Sequence, residues 1–190
     1  MIRQIFYVTL ILIITGCSRP EKQLVTFNTD MGMFTVVVYP EQAPLTVANF
    51  LRYVDGGYYR DSHFYRTVTL DNQPHNTIKI EVIQGGLYGD DRHLAPIAHE
   101  TTAMTGLRHT DGTISMARNE PGSATAEIFI CIGVQPELDY GGRRNPDGQG
   151  FAAFGRVVSG MDVVRKIHCQ PQREQLLEPW IRIIDVVRND

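Results

Sequence analysis

The chain has 190 residues, a length that suits one domain and can bury a core without disulfides or a structural metal. Hydrophobic residues make up 43% and charged residues 21%, the balance of an ordinary globular protein rather than a disordered or fibrous one. The formal net charge of −3, with no basic run beyond Arg143-Arg144, excludes an electrostatic case for a nucleic-acid partner, and three cysteines are too few for a disulfide scaffold.

The N-terminus reads as a targeting segment. Arg3 supplies a positive start, and Ile5 to Ile14 is an almost unbroken apolar run. That run is about half of the ~20 residues needed to span a bilayer, so it fits a signal peptide better than a permanent membrane helix. Ile14-Thr15-Gly16-Cys17 resembles a bacterial lipobox, which implies acylation of Cys17; the alternative is an ordinary signal peptide with a chance cysteine. Several acyl chains would anchor the protein, because one alone binds only marginally. By the usual sorting pattern, Ser18 after the cysteine favours the outer membrane where a cell has two. The expected organisation is a signal peptide at residues 1–17, a polar tether at 18–23 and one compact unit at 24–190, lipid-anchored in the cell envelope on the periplasmic side of a bacterial membrane. In that oxidising compartment Cys131 reads as a buried thiol within an apolar run, and Cys169 follows a helical pattern. Two inert thiols fit better than a disulfide between them.

Along the chain, Val25 to Thr29 alternates as a strand does, Phe34 to Tyr39 is β-branched and apolar, and Asp30-Met31-Gly32 between them suits a hairpin turn. Pro44 to Val54 is helical: proline suits its first turn, apolar residues recur at three and four, and Gly56-Gly57 ends it. Further strands are expected over His63–Val68, Ile80–Gln84, Gly112–Ala117, Glu127–Ile132, Ala152–Val158 and Trp180–Val187, with a second helix from Gly160 to His168. The polar stretch Thr69 to Lys79 and the stretch Arg143 to Gly150 read as surface loops. About eight short strands separated by turns, with two helices, point to an antiparallel barrel. Closure would leave no exposed strand edge.

Several segments, in order, resemble one family. They are Phe64-Tyr65-Arg66, Gln84-Gly85-Gly86, Gly112-Thr113-Ile114-Ser115-Met116-Ala117, Ala124 to Ile130, Leu138-Asp139, Phe154-Gly155-Arg156-Val157 and Gly160-Met161-Asp162-Val163-Val164. On these the chain resembles the cyclophilin-type peptidyl-prolyl cis-trans isomerases across nearly all of 24–190. The resemblance implies a mainly β fold, a closed eight-stranded antiparallel barrel capped by two α-helices, with an outer groove for extended proline-containing segments of unfolded or exported proteins. It implies a monomer that needs no cofactor and no metal. Arg66 matches the family's catalytic arginine, with Gln84 and Phe129 beside it as backbone binder and proline-pocket wall. Phe64, Met116, Ala117, Arg118, Glu127, Leu138, Phe151 and Glu81 fall at or near substrate-binding positions. Gly85 and Gly86 suit close backbone approach.

Some positions depart from the family pattern. Glu81 stands where a pocket phenylalanine is usual, Val82 where methionine is common, Glu127 in place of a glutamine, Glu137 where many members carry a large apolar residue, and Phe151 where a histidine is frequent. A lone buried carboxylate costs several kcal/mol. Glu81 therefore points to solvent, pairs with Arg66, or leaves the pocket through a shifted register. Pairing with Arg66 would reduce activity, and the competing reading is a catalytically weak chaperone or adaptor that grips proline segments on the same fold. Other chemistries find little support. Asp90-Asp91 suits a turn, His93, His99, His109 and Glu100 lack metal-ligand spacing, and no Ser-His-Asp arrangement stands out.

Overall fold

A computed structural model describes residues 23–189; the proposed signal peptide, Cys17 and most of the tether lie outside the described residues. Its strands are β1 (Gln23–Thr29), β2 (Gly32–Val38), β3 (Ser62–Val68), β4 (Val82–Gly86), β5 (Thr113–Met116), β6 (Ile128–Cys131), β7 (Ala152–Ser159), β8 (Gln172–Arg173) and β9 (Leu176–Asn189). Three helices intervene: α1 (Pro44–Asp55), the single turn α2 (Thr102–Thr105) and α3 (Met161–His168). All pairings are antiparallel. They run β1-β2-β7-β5-β6-β4-β3-β9, and β9 returns to β1 from Leu24↔Asn189 to Thr29↔Ile183, closing an eight-stranded barrel. The two-residue β8 adds a short hairpin to β9 outside the closed ring.

The barrel is filled by alternate residues of its strands. Phe27 and Phe34 stack at 4.8 Å, Phe64 lies 6.3 Å and 6.0 Å from them, and Phe50 of α1 meets Phe154 at 5.0 Å. Helix α1 closes one end with Val47, Phe50, Leu51, Tyr53 and Val54. Its first turn leaves amides unpaired, and the buried Glu100 satisfies them: Oε2 accepts from the Thr46 amide (2.8 Å) and hydroxyl (2.6 Å), and Oε1 from the Leu45 amide (3.2 Å). Val164 and Ile167 of α3 are buried in the same core, and among the described residues no helix is long and apolar enough to cross a membrane.

The architecture agrees with the expected barrel and adds α2 and β8 to it. Several strand limits differ by one to four residues, and two of them have evident local reasons. β4 starts at Val82 rather than Ile80, because the buried Gln73 side chain takes up Ile80: its Nε2 donates to the Ile80 carbonyl (2.8 Å) and its Oε1 accepts from the Ile80 amide (3.3 Å). β9 extends from Leu176 rather than Trp180, because it bridges two neighbours, β3 at its start and β1 at its end. Both remaining cysteines are free thiols, Cys131 buried and Cys169 exposed.

Candidate active site

Strand parity divides the sheet into two apolar faces. In β6, Ile128 and Ile130 join the barrel core, whereas Phe129 and Cys131 join a separate cluster. In β4, Ile83 faces in and Val82 faces out. The outer cluster holds Val68, Ile80, Val82, Phe129, Cys131 and Leu138, edged by Ala117 and Phe151. It floors a cavity of ≈ 260 Å³ whose polar margin includes Arg66, Gln84, Arg118, Arg144 and Asn145. A second depression of ≈ 360 Å³ adjoins it, sharing Gln84, Ala117 and Arg118 and reaching Tyr65 and Glu127. A larger, open hollow around Trp180, Tyr88 and Asp91 lacks an apolar floor of this kind, so the smaller cavity is the candidate site.

Phe129 is held from two sides. The His109 ring stacks on it at 5.8 Å and 15°, and Phe151 meets it edge-on at 5.2 Å and 85°. Asp139 accepts from the His109 ring Nδ1 (2.8 Å) and amide (3.0 Å), which leaves Nε2 to face Ser115 Oγ (3.1 Å). Burial raises the Asp139 carboxyl, but the His109 bonds and the nearby Arg108 charge outweigh it and hold the group below its usual range. This Asp–His–Ser line was not visible in the sequence. Ser115 is fully buried, so the line props the aromatic wall and does not present a nucleophile.

Arg66 reaches the cavity through a bulge. The register of β3 against both β4 and β9 shifts between Phe64 and Arg66, leaving Tyr65 as a surplus residue. Plain alternation would put Phe64 and Arg66 on one face. The bulge instead keeps Phe64 inside and turns both Tyr65 and Arg66 toward Gln84. A directed chain of hydrogen bonds follows. Arg66 Nη1 donates to Gln84 Oε1 (2.8 Å), Gln84 Nε2 donates to the Tyr65 hydroxyl (2.6 Å), and that hydroxyl donates to Glu127 Oε2 (2.7 Å). Its direction has one solution: a guanidinium only donates and an ionised carboxylate only accepts. Glu127 Oε1 also accepts from the Leu87 amide (2.7 Å). Gly86 permits this approach, because its φ is +147° and a Cβ there would sit 2.8 Å from the carboxylate.

On its other side Arg66 is gripped by Gln175, whose Oε1 accepts from Nε (3.0 Å) and Nη2 (2.5 Å) while its Nε2 donates to the Asn72 carbonyl (2.9 Å). A guanidinium has five N–H donors. Three are engaged, leaving two for a ligand. Burial lowers the Arg66 pKa, yet a guanidinium keeps its charge in proteins. Burial also raises Glu127, since the donors from Tyr65 and Leu87 only partly offset it. Tyr65 is pushed up by burial and then by the Glu127 charge, so its hydroxyl stays a donor.

The structure brings Arg66, Gln84, Phe129, Ala117, Arg118, Leu138 and Phe151 to one cavity. Arg118 also ties down the loop opposite: it pairs with Asp147 (2.7 and 2.9 Å), donates to the Gly150 carbonyl (2.6 Å) and lies over the Phe151 ring at 5.3 Å. Four expected contacts differ in the structure. Phe64 and Met116 are fully buried in the barrel interior and cannot touch substrate, because each sits at an inward position of its strand. Glu81 is not on the cavity. Ile80 occupies the apolar position in its place, and Arg66 bonds Gln84 and Gln175 instead of a carboxylate. Glu127 lines the adjoining depression rather than the apolar cup. Glu137 is bound by Arg143 at 2.9 Å, away from the cup. Sequence reasoning missed Ile80, Gln175, Arg144 and Asn145. Of these only the Arg143-Arg144 pair carried a signal, and the loop around it read simply as exposed.

Comparison with known proteins covers the same stretch of chain. Residues 24–188 match the family model described as cyclophilin type peptidyl-prolyl cis-trans isomerase/CLD. The chain is 39% identical over 148 residues to peptidyl-prolyl cis-trans isomerase cyp18 of Streptomyces antibioticus, covering 75% of this chain and 81% of that protein. It is 36% identical over 147 residues to peptidyl-prolyl cis-trans isomerase B of Escherichia coli strain K12, covering 76% and 83%. The fold superposes on a crystal structure of a Cryptosporidium parvum cyclophilin type peptidyl-prolyl cis-trans isomerase with a TM-score of 0.70 at 21% identity, covering 89% of this chain and 98% of the other. The same TM-score holds for that protein in the presence of the dipeptide Ala-Pro.

Proposed function

The chain belongs to the cyclophilin-type peptidyl-prolyl cis-trans isomerases and is an isomerase of that kind, and from that premise we propose that Arg66 drives the rotation over the apolar cup, on proline segments of exported proteins. An X-Pro amide resists rotation by ~18–20 kcal/mol because its nitrogen shares a lone pair with the carbonyl. At the twisted geometry that pair is localised and can accept a hydrogen bond, so a cationic donor aimed at the nitrogen favours the twisted state over both planar ones. No bond is made or broken.

The observation that carries this reading is Arg66 beside the cup, clamped by Gln84 and Gln175 with two donors still free. A clamped charge loses little order when the amide twists. Val82, Phe129 and Leu138 would take the prolyl ring, while Gln84 and the main chain near Ala117 would hold the peptide in extended form. The chemical step should vary little with pH near neutrality, since the guanidinium stays charged.

The test is an exchange assay on an Ala-Pro peptide with wild type and Arg66→Ala. Removing one preorganised donor from a site of this type costs about 10²–10³ in rate. Equal rates near background would favour a proline-segment binder instead. The location reading rests on the apolar run ending in Ile14-Thr15-Gly16-Cys17. Cys17→Ala should move the protein from the membrane to the soluble fraction of the envelope.

A further inference from the structure

Three guanidinium groups, Arg66, Arg118 and Arg144, line the proline cavity; Arg118 is paired with Asp147, and no carboxylate lines the cavity beside the other two. The acids nearest along the loop are engaged elsewhere: Asp147 by Arg118 (2.7 Å) and Glu137 by Arg143 (2.9 Å). Arg144 is half-buried and commits only Nη1 of its side chain, to the Ile78 carbonyl at 2.7 Å. Next to it, Asn145 carries a buried Nδ2 with no hydrogen-bond partner, and Asn145 lines the same cavity. A buried amide left unpaired is costly, and partly buried like charges repel. Burial, and then the Arg66 charge, lower the Arg144 pKa, as expected for a cation facing another across a shared space. A neutral proline peptide offers carbonyls to one or two of these donors and neutralises neither charge. A carboxylate does both.

We propose that Arg144 and Asn145 form an anion-reading rim on the proline cup, so that this isomerase prefers substrates with a carboxylate within one residue of the proline. The inference deepens the reading of this cavity as the proline site and rests on it. The carboxylate has three possible sources: an acidic side chain before the proline, one after it, or the free terminus of a chain ending in proline. All three present the same chemistry to the rim.

Exchange spectroscopy on matched peptides separates them: Ala-Pro-Ala as the neutral control, Asp-Pro-Ala, Ala-Pro-Asp, all blocked at both ends, and a chain-terminal Ala-Pro as acid and as amide. At least one carboxylate peptide should exceed its neutral partner by about tenfold in kcat/KM, mainly through KM, as for a charge-assisted hydrogen bond. The preference should shrink as salt rises. Arg144→Gln should bring the ratio to about one and Arg144→Lys should restore part of it, because charge alone supplies some of the attraction. Asn145→Asp places an anion in the cavity and should make the acidic peptide the poorer substrate, which keeps the test open if Arg144→Gln folds badly. Equal kcat/KM for all peptides with wild type, or a preference that survives both Arg144→Gln and Asn145→Asp, overturns the rim. Turnover of the neutral peptide, lost in Arg66→Ala, reports the isomerase reading separately.

Discussion

Ile128 and Phe129 are neighbours in sequence and lie on opposite faces of one strand. Ile128 joins the barrel interior, which strand residues fill by alternation and α1 and α3 close. Phe129 joins an outer cup, to which strands contribute only part: Leu138 comes from a single 3₁₀ turn, Phe151 from a loop end, and Ile80 from the segment held by Gln73. The interior is dictated by local pattern. The cup depends on segments distant in sequence meeting over one face of the sheet, so its chemistry can change while the barrel stays intact.

Substitutions on the two faces should therefore separate stability from turnover. The largest effect is expected inside. Phe64→Ala should cost about 3–5 kcal/mol in urea unfolding, the usual range for a buried aromatic, while the folded fraction keeps its turnover. Lost turnover at unchanged stability would return Phe64 to the substrate groove. On the outer face, Gln175→Ala releases two of the three bonds that hold Arg66. It should lower kcat by about tenfold with KM nearly unchanged, as misplaced catalytic groups do, and shift the urea midpoint little.

How much of this was legible follows the same division. The strands, α1 and α3 could be read because apolar periodicity and turn residues are local signals. Arg66, Gln84 and Phe129 could be read because they sit in short recognisable motifs. Phe64 and Met116 were misplaced because motif membership does not tell which face of a strand a residue takes, and Phe64 precedes a bulge that breaks the count. Glu81 was misplaced for the converse reason: counting back from Gln84 ignores that Gln73 draws Ile80 aside. Gln175 lies 109 residues from Arg66 in the chain, a pairing no periodicity reports.

A smaller effect concerns pH. Glu127 has a raised folded-state pKa, so the folded protein binds its proton more tightly than the unfolded chain does. Its contribution favours folding below the ordinary carboxylate value and is lost as pH rises through the raised one. Asp139 is depressed and acts oppositely: its contribution is present above the ordinary value and lost as pH falls through the folded one. Glu127→Gln should remove the first slope from a stability–pH curve and leave the second. Its single acceptor oxygen can serve only one of the two donors, Tyr65 hydroxyl and Leu87 amide, that the carboxylate holds, so a modest fall in kcat is expected alongside. An unchanged curve would mean that Glu127 is not the titrating group. The smallest effect is expected at Glu81→Phe. With Ile80 already in the apolar position, exchange rates should stay within about twofold, below the tenfold that 1.4 kcal/mol represents. A clear gain would put the side chain at 81 back in the cup.

The surplus residue in β3 has a further consequence for changes in chain length. Before it, Phe64 faces the barrel; after it, Arg66 faces the cavity and Val68 the outer cluster. Deleting position 65 would restore a regular strand with Arg66 still turned outward and opposite Gln84, at the loss of the hydroxyl that links Gln84 to Glu127 and of the ring stacked on Tyr88 at 4.5 Å. Inserting one more residue after position 65 would place the new residue toward the interior and, in a regular strand, carry Arg66 from opposite Gln84 to opposite Val82. The strand should thus accept shortening and reject lengthening at the same point.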